Sequence, residues 1–95
     1  MVRIPTVGVT LNLLDMLFDE FDIWHKIHDG RLTSDETLPT PSRSWANATS
    51  FIVRHYLPDG KHVATTHCIR HKRTGKVLHW DAKDLRLHEV RLVRP

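Results

Sequence analysis

The stretch that decides the fold is residues 50–71, which read SFIVRHYLPDGKHVATTHCIRH. Two segments with many β-branched and aromatic residues flank the sequence LPDGK at residues 57–61. Proline presets the backbone at the first position of a turn, and glycine accepts the positive φ that closes many hairpin loops. The pattern therefore predicts two antiparallel strands, over residues 50–57 and 61–71.

A second turn signal, KRTG at residues 72–75, predicts that the chain reverses again. Another strand is expected over residues 76–81, and a last one within 85–93. Connections this short join neighbouring antiparallel strands, so residues 49–94 are predicted to form a basic β-meander.

The N-terminal part of the chain carries a helical pattern. Apolar residues recur there at spacings of three and four, which predicts one amphipathic helix over about residues 11–28. The stretch 32–44 is rich in Pro, Ser and Thr and is predicted to be a loop. We expect an α+β fold in a single domain, residues 1–95: one N-terminal amphipathic helix packed on a three- to four-stranded antiparallel β-meander.

Composition limits the class of protein. The chain has 95 residues, of which 40% are hydrophobic and 26% charged, as expected of a folded globular domain. Its single cysteine, Cys68, excludes an internal disulfide and a Cys-x-x-Cys motif. No stretch approaches the ~18 apolar residues that span a bilayer, and no signal peptide is recognised. We expect a cytoplasmic protein that makes no membrane contact.

Charge is divided unevenly between the two halves. Residues 1–48 carry four Lys or Arg against seven Asp or Glu, whereas residues 49–95 carry ten against four and six of the eight histidines. A basic half of this kind attracts anionic partners such as nucleic acid or an acidic protein surface.

The hairpin registers predict which side chains form a working surface. If the first turn pairs Leu57 with Lys61, Tyr56 faces His62, and if the second pairs His71 with Lys76, Cys68 faces His79. One sheet face would then be polar and cationic. With the second turn it supplies the candidate binding residues, which are Arg54, Tyr56, His62, Arg70, Lys72, Arg73 and His79.

These residues favour a small binding module, rather than an enzyme, that engages nucleic acid or a protein that handles it. A compact chain without motifs also suits a phage or mobile-element inhibitor. One alternative is a small metal-independent ribonuclease-like toxin, with His79 as the acid or base and Arg70 as the cation. Another is a homodimeric structural protein joined by its sheet edges. No cofactor and no metal site are expected.

Overall fold

The computed structural model describes residues 4–37, 39–87 and 89–94. In this part of the chain, strands predominate over two short helices. The elements are β1 (Thr6–Gly8), α1 (Leu11–Glu20), α2 (Ile23–His28), β2 (Thr33–Glu36), β3 (Thr40–Pro41), β4 (Ala48–Tyr56), β5 (His62–His71), β6 (Val77–Leu87) and β7 (Val90–Val93). Residues 1–3, 38, 88 and 95 of the predicted single domain lie outside the described residues, and the domain assignment stays a prediction.

The strands form one mixed sheet. Its order is β1-β7-β6-β5-β4-β2, and β3 also pairs with β4. β1 runs parallel to β7, whereas the other pairs are antiparallel. The predicted three- to four-stranded meander is therefore wrong, although an antiparallel sheet forms its centre. The additional strands have two to four residues, too few for alternation of apolar and polar side chains to reveal them.

Two of these short strands lie in the segment that was predicted to be a loop. Within residues 32–44, β2 and β3 both pair with β4. Proline lacks an N–H group, so Pro41 suits a strand at the margin of the sheet rather than one in its interior. The high content of Pro, Ser and Thr in this segment therefore gives no indication of the two strands, which form by pairing with β4.

The single helix predicted over residues 11–28 is also wrong, because the chain breaks between α1 and α2. Asp22 has φ 56°, in the left-handed region that ends a right-handed helix. Aspartate tolerates this conformation better than most residues, and the Asp22 carboxylate lies 3.4 Å from the Arg31 guanidinium. The apolar spacing runs through the break, since Phe18 and Trp24 on either side of it both pack in the core.

A β-bulge follows the first hairpin turn. His55 pairs with Ala64, but Tyr56 pairs with His62, so Val63 is an extra residue on β5. The predicted pairing of Tyr56 with His62 is present. Beyond it the predicted register is wrong by one residue, because a bulge exchanges the faces on which the following side chains lie.

Two further bulges lie in β6, where Leu78 and Lys83 are the extra residues. Cys68 consequently pairs with Trp80 and not with His79, as was predicted. Hairpin turns define the register only next to the turn, so the sequence pattern alone did not reveal these shifts.

Directly opposed residues of paired strands share a face, which defines two faces of the sheet. The helix face packs against α1 and α2, and it comprises Phe51, Val53, His55, Ala64, Thr66, Cys68, Arg70, Trp80, Ala82 and Leu85. The open face is the opposite one, and it comprises Ser50, Ile52, Arg54, Tyr56, His62, Thr65, His67, Ile69, His79, Asp81, Asp84, Arg86, Arg91 and Val93.

The core lies between the two helices and the helix face. Leu14 and Phe18 of α1 are fully buried against Ala64, Ala82 and Leu85 of the sheet. The Trp24 and Trp80 rings meet edge to face, with 5.5 Å between their centroids. This packing leaves the open face without a helical layer in the described part of the chain.

Candidate functional site

The predicted binding residues do not form one surface. The open face contains Arg54, Tyr56, His62 and His79, whereas Arg70 lies on the helix face. Lys72 and Arg73 occupy the turn after β5. β5 has ten residues, so this turn lies ~30 Å from the Tyr56 end of the sheet. The cations therefore divide into separate groups.

Tyr56 and His62 form an aromatic pair at one end of the open face. Their ring centroids are 5.1 Å apart, and both side chains are half-buried. The His62 ring Nε2 lies 2.9 Å from the Ala64 carbonyl oxygen and 2.9 Å from the Thr65 hydroxyl. Burial lowers the pKa of His62, and the nearby Arg86 guanidinium lowers it further. His62 is thus neutral near pH 7 and donates from Nε2 to the carbonyl oxygen.

Two arginines oppose each other beside this pair, Arg86 on β6 and Arg91 on β7. The Asp84 carboxylate, only 1% exposed, neutralises Arg91 through contacts of 2.9 and 3.0 Å. The buried Nε of Arg86 has no hydrogen-bond partner among the described residues. Like charges that face each other destabilise a sheet. Asp84 neutralises the charge of Arg91 and leaves the charge of Arg86 uncompensated by this carboxylate.

Arg70 belongs to a different environment. It lies 2.6 Å from the Glu36 carboxylate, and its guanidinium stacks 4.0 Å above the Phe51 ring. Arg70 pairs with Val77, whereas His79 pairs with Ile69. The structure therefore places the two residues of the ribonuclease hypothesis on opposite faces of the sheet and does not bring them to one phosphate.

His79 instead joins a polar network at the centre of the open face. Its Nε2 lies 3.2 Å from the Asp81 carboxylate, which also accepts from Arg94 at 2.8 Å. On the other side, the Asp81 carboxylate lies 3.5 Å from the His67 ring, which contacts the Ser50 hydroxyl at 2.5 Å. His67 lies on the open face because the bulge before Ala64 shifts the register of β5 and pairs His67 with Ile52.

Within the part of the chain that the structure describes, no group of three or more His, Cys, Asp or Glu side chains is placed to hold a metal ion. Neither of the two described helices is long and apolar enough to cross a membrane. No family model matches the chain, and neither a curated protein nor a solved structure matches it.

Proposed function

We propose that the protein is a binding module that engages an acidic partner through one end of its open face, and that a single-stranded nucleic acid is the partner this surface fits best. The observation that carries the proposal is the charge of the Arg86 guanidinium, which opposes Arg91 while the neighbouring Asp84 carboxylate pairs with Arg91 instead. Arg86 lies beside the Tyr56–His62 pair. A bound phosphate would offset this positive charge.

The charge balance supports an anion at this place. Asp84 is committed to Arg91, which leaves Arg86 as an excess positive charge within the β6–β7 pair. Arg54 adds an exposed cation on the same face, two residues from Tyr56 on β4 and opposite Asp35 of β2. Two arginines next to a half-buried aromatic pair can hold phosphates while a base stacks on the rings.

The aromatic pair favours nucleic acid over an acidic protein surface. An acidic peptide would use the arginines alone, whereas a base also gains stacking energy of about 1–3 kcal/mol on an aromatic side chain. The turn at Lys72 and Arg73 is too far away to contact the same nucleotide, but it can extend the path of a longer strand.

A salt titration tests the proposal. Arg86→Ala should weaken binding to a short single-stranded RNA or DNA and flatten the slope of log affinity against log salt by about one, because one phosphate contact is lost. Tyr56→Leu should weaken binding with little change in slope, since it removes stacking and no charge. Fluorescence anisotropy of a labelled oligonucleotide measures both quantities.

Arg31→Ala is the matched control. It also removes one positive charge, but Arg31 contacts Asp22 and Asp29 near α2 and is not part of the open face. Equal losses for Arg31→Ala and Arg86→Ala would show that only net charge matters. A poly-glutamate peptide that binds as tightly as the oligonucleotide would identify an acidic protein surface as the partner, and no binding of either at about 50 mM salt would refute the proposal.

A further inference from the structure

A serine, a histidine and an aspartate line up across three neighbouring strands at the centre of the open face. Ser50 lies on β4, His67 on β5 and Asp81 on β6. The Ser50 Oγ is 2.5 Å from Nε2 of His67, and Nδ1 of the same ring is 3.5 Å from Oδ1 of Asp81. The two ring nitrogens therefore face a hydroxyl on one side and a carboxylate on the other, the order of contacts that activates a serine nucleophile.

The Asp81 carboxylate is held in place through Oδ2, the oxygen that does not face His67. Its Oδ2 accepts from Arg94 at 2.8 Å and lies 3.2 Å from Nε2 of His79. Its Oδ1, which is buried and directed toward His67, has no hydrogen-bond partner within the described residues. Burial by itself would raise the pKa of Asp81, but the hydrogen bonds and charges of Arg94 and His79 outweigh it and hold the pKa below its usual value. Asp81 is thus an anion near pH 7 with one oxygen available to orient the imidazole.

His67 has the protonation state that a general base needs. Burial lowers its pKa; Asp81 raises it, while the charges of Lys83, His79 and Arg94 lower it further. The ring is consequently neutral near pH 7. With its proton on Nδ1, facing Asp81, Nε2 can accept the proton of the Ser50 hydroxyl.

A pocket lies next to this serine. It has a volume of about 270 Å³, and its lining combines Ser50, His67 and Ile69 of the sheet with the segment 40–44. This volume is slightly below the ~300 Å³ at which pockets for drug-sized ligands begin, so it suits a small molecule. Arg43 is also one of the lining residues, so its positive charge lies near the pocket.

We propose that Ser50, His67 and Asp81 form a nucleophilic site that hydrolyses small carboxylic esters, an activity separate from the proposed binding of an acidic partner. The Ser50 Oγ attacks the ester carbonyl carbon as Nε2 of His67 takes the hydroxyl proton. The C–O bond to the alcohol then breaks, and His67 returns that proton to the leaving alcohol. Water attacks the acyl-serine in the same way, which releases the carboxylic acid and restores the Ser50 hydroxyl.

The chain contains a second serine–histidine contact that serves as an internal comparison. Ser34 Oγ lies 2.9 Å from Nδ1 of His55, but the other ring nitrogen meets the Thr66 hydroxyl at 2.7 Å and no carboxylate. His55 is also fully buried, away from the pocket. Of these two contacts among the described residues, the Ser50 contact is the one that combines a base, a carboxylate and an adjoining pocket.

Covalent labelling tests the proposal directly. A fluorophosphonate probe reacts with activated serines, so the wild-type protein should be labelled at Ser50, with the site identified by mass spectrometry of the peptide. His67→Gln should slow labelling and the hydrolysis of p-nitrophenyl acetate by about 100-fold or more, because the base is lost. Ser50→Ala should abolish labelling, and Ser34→Ala should leave its rate unchanged.

Asp81 acts on the reaction by positioning His67. Its role is therefore tested with a measurement that a loss of packing alone would not change. Asp81→Asn should slow labelling and also shift the midpoint of its pH dependence downward, since Asp81 raises the pKa of His67. Circular dichroism establishes that each variant is folded. A folded wild-type protein whose Ser50 stays unlabelled, or a labelling rate indifferent to His67→Gln, would overturn the proposal and leave the three residues as a structural network. Oligonucleotide binding is measured separately, so either activity can fail alone.

Discussion

Phe18→Ala should lower the free energy of unfolding by about 3–5 kcal/mol, as large aromatic truncations in a core do. Phe18 is fully buried and packs against Trp24, with 5.2 Å between the ring centroids. Its removal leaves a cavity in the layer that joins α1 to the sheet. Since domains of this size have a total stability of about 5–15 kcal/mol, much of the fold's stability depends on this one side chain. Urea unfolding followed by circular dichroism measures the change.

Met16→Ala is the matched control, because it truncates a large side chain in the same helix. Met16 is 67% exposed, and alanine has a higher helix propensity, so its stability should stay within about 0.5 kcal/mol of the wild type. Equal losses for the two variants, or a loss below about 1 kcal/mol for Phe18→Ala, would contradict the docking of α1 on the helix face.

Acid should destabilise the protein well before its carboxylates titrate. His55 is fully buried between Ser34 and Thr66, and burial lowers its pKa from 6.5 to about 4. Because the unfolded chain binds this proton more readily than the folded one, the stabilising contribution is complete above pH 6.5 and is lost as the pH falls toward 4. We expect the free energy of unfolding to fall by about 2 kcal/mol between pH 7 and pH 5 from His55 alone.

The pKa values of His62 and His67 are lowered as well, so their contributions have the same sign. Urea titrations at both pH values measure the total. His55→Gln should reduce the pH dependence by about 2 kcal/mol, whereas His25→Gln, at a side chain that is 68% exposed, should leave it intact. A wild-type stability that does not change between these pH values would show that the buried histidine is protonated without cost.

The sequence predicts those parts of the fold that local chemistry determines. The turn around Pro58 and Gly60 and the pairing of Tyr56 with His62 follow from the residues beside them. The apolar spacing in the N-terminal region indicates helical structure, and Leu14 and Phe18 of α1 are buried, but the single helix that it predicts is wrong. It does not reveal the break at Asp22, because a left-handed residue leaves the spacing of the buried side chains almost unchanged.

The candidate sites were harder to predict, because they depend on the bulges. Leu78 and Lys83 have nothing in their chemistry that identifies them as extra residues, yet the bulge at Leu78 places His79 on the open face while Arg70 lies on the other. Ser50, His67 and Asp81 are up to 31 residues apart in the sequence and meet only when three strands adopt this register. The pairing of Tyr56 with His62 next to a turn could be predicted from the sequence, but the meeting of three side chains across three strands could not.

The parallel pairing of β1 with β7 has a mechanical consequence. It places the first described strand of the chain beside the last one, with flanking hydrogen bonds from Arg91 to Pro5 and from Val9 to Val93. A force that pulls the two ends of the chain apart acts along these strands in opposite directions, so it loads their hydrogen bonds together in shear rather than opening them one after another. A stretched molecule should therefore resist extension at this pair first, and the seven-stranded sheet should stay closed until the pair ruptures.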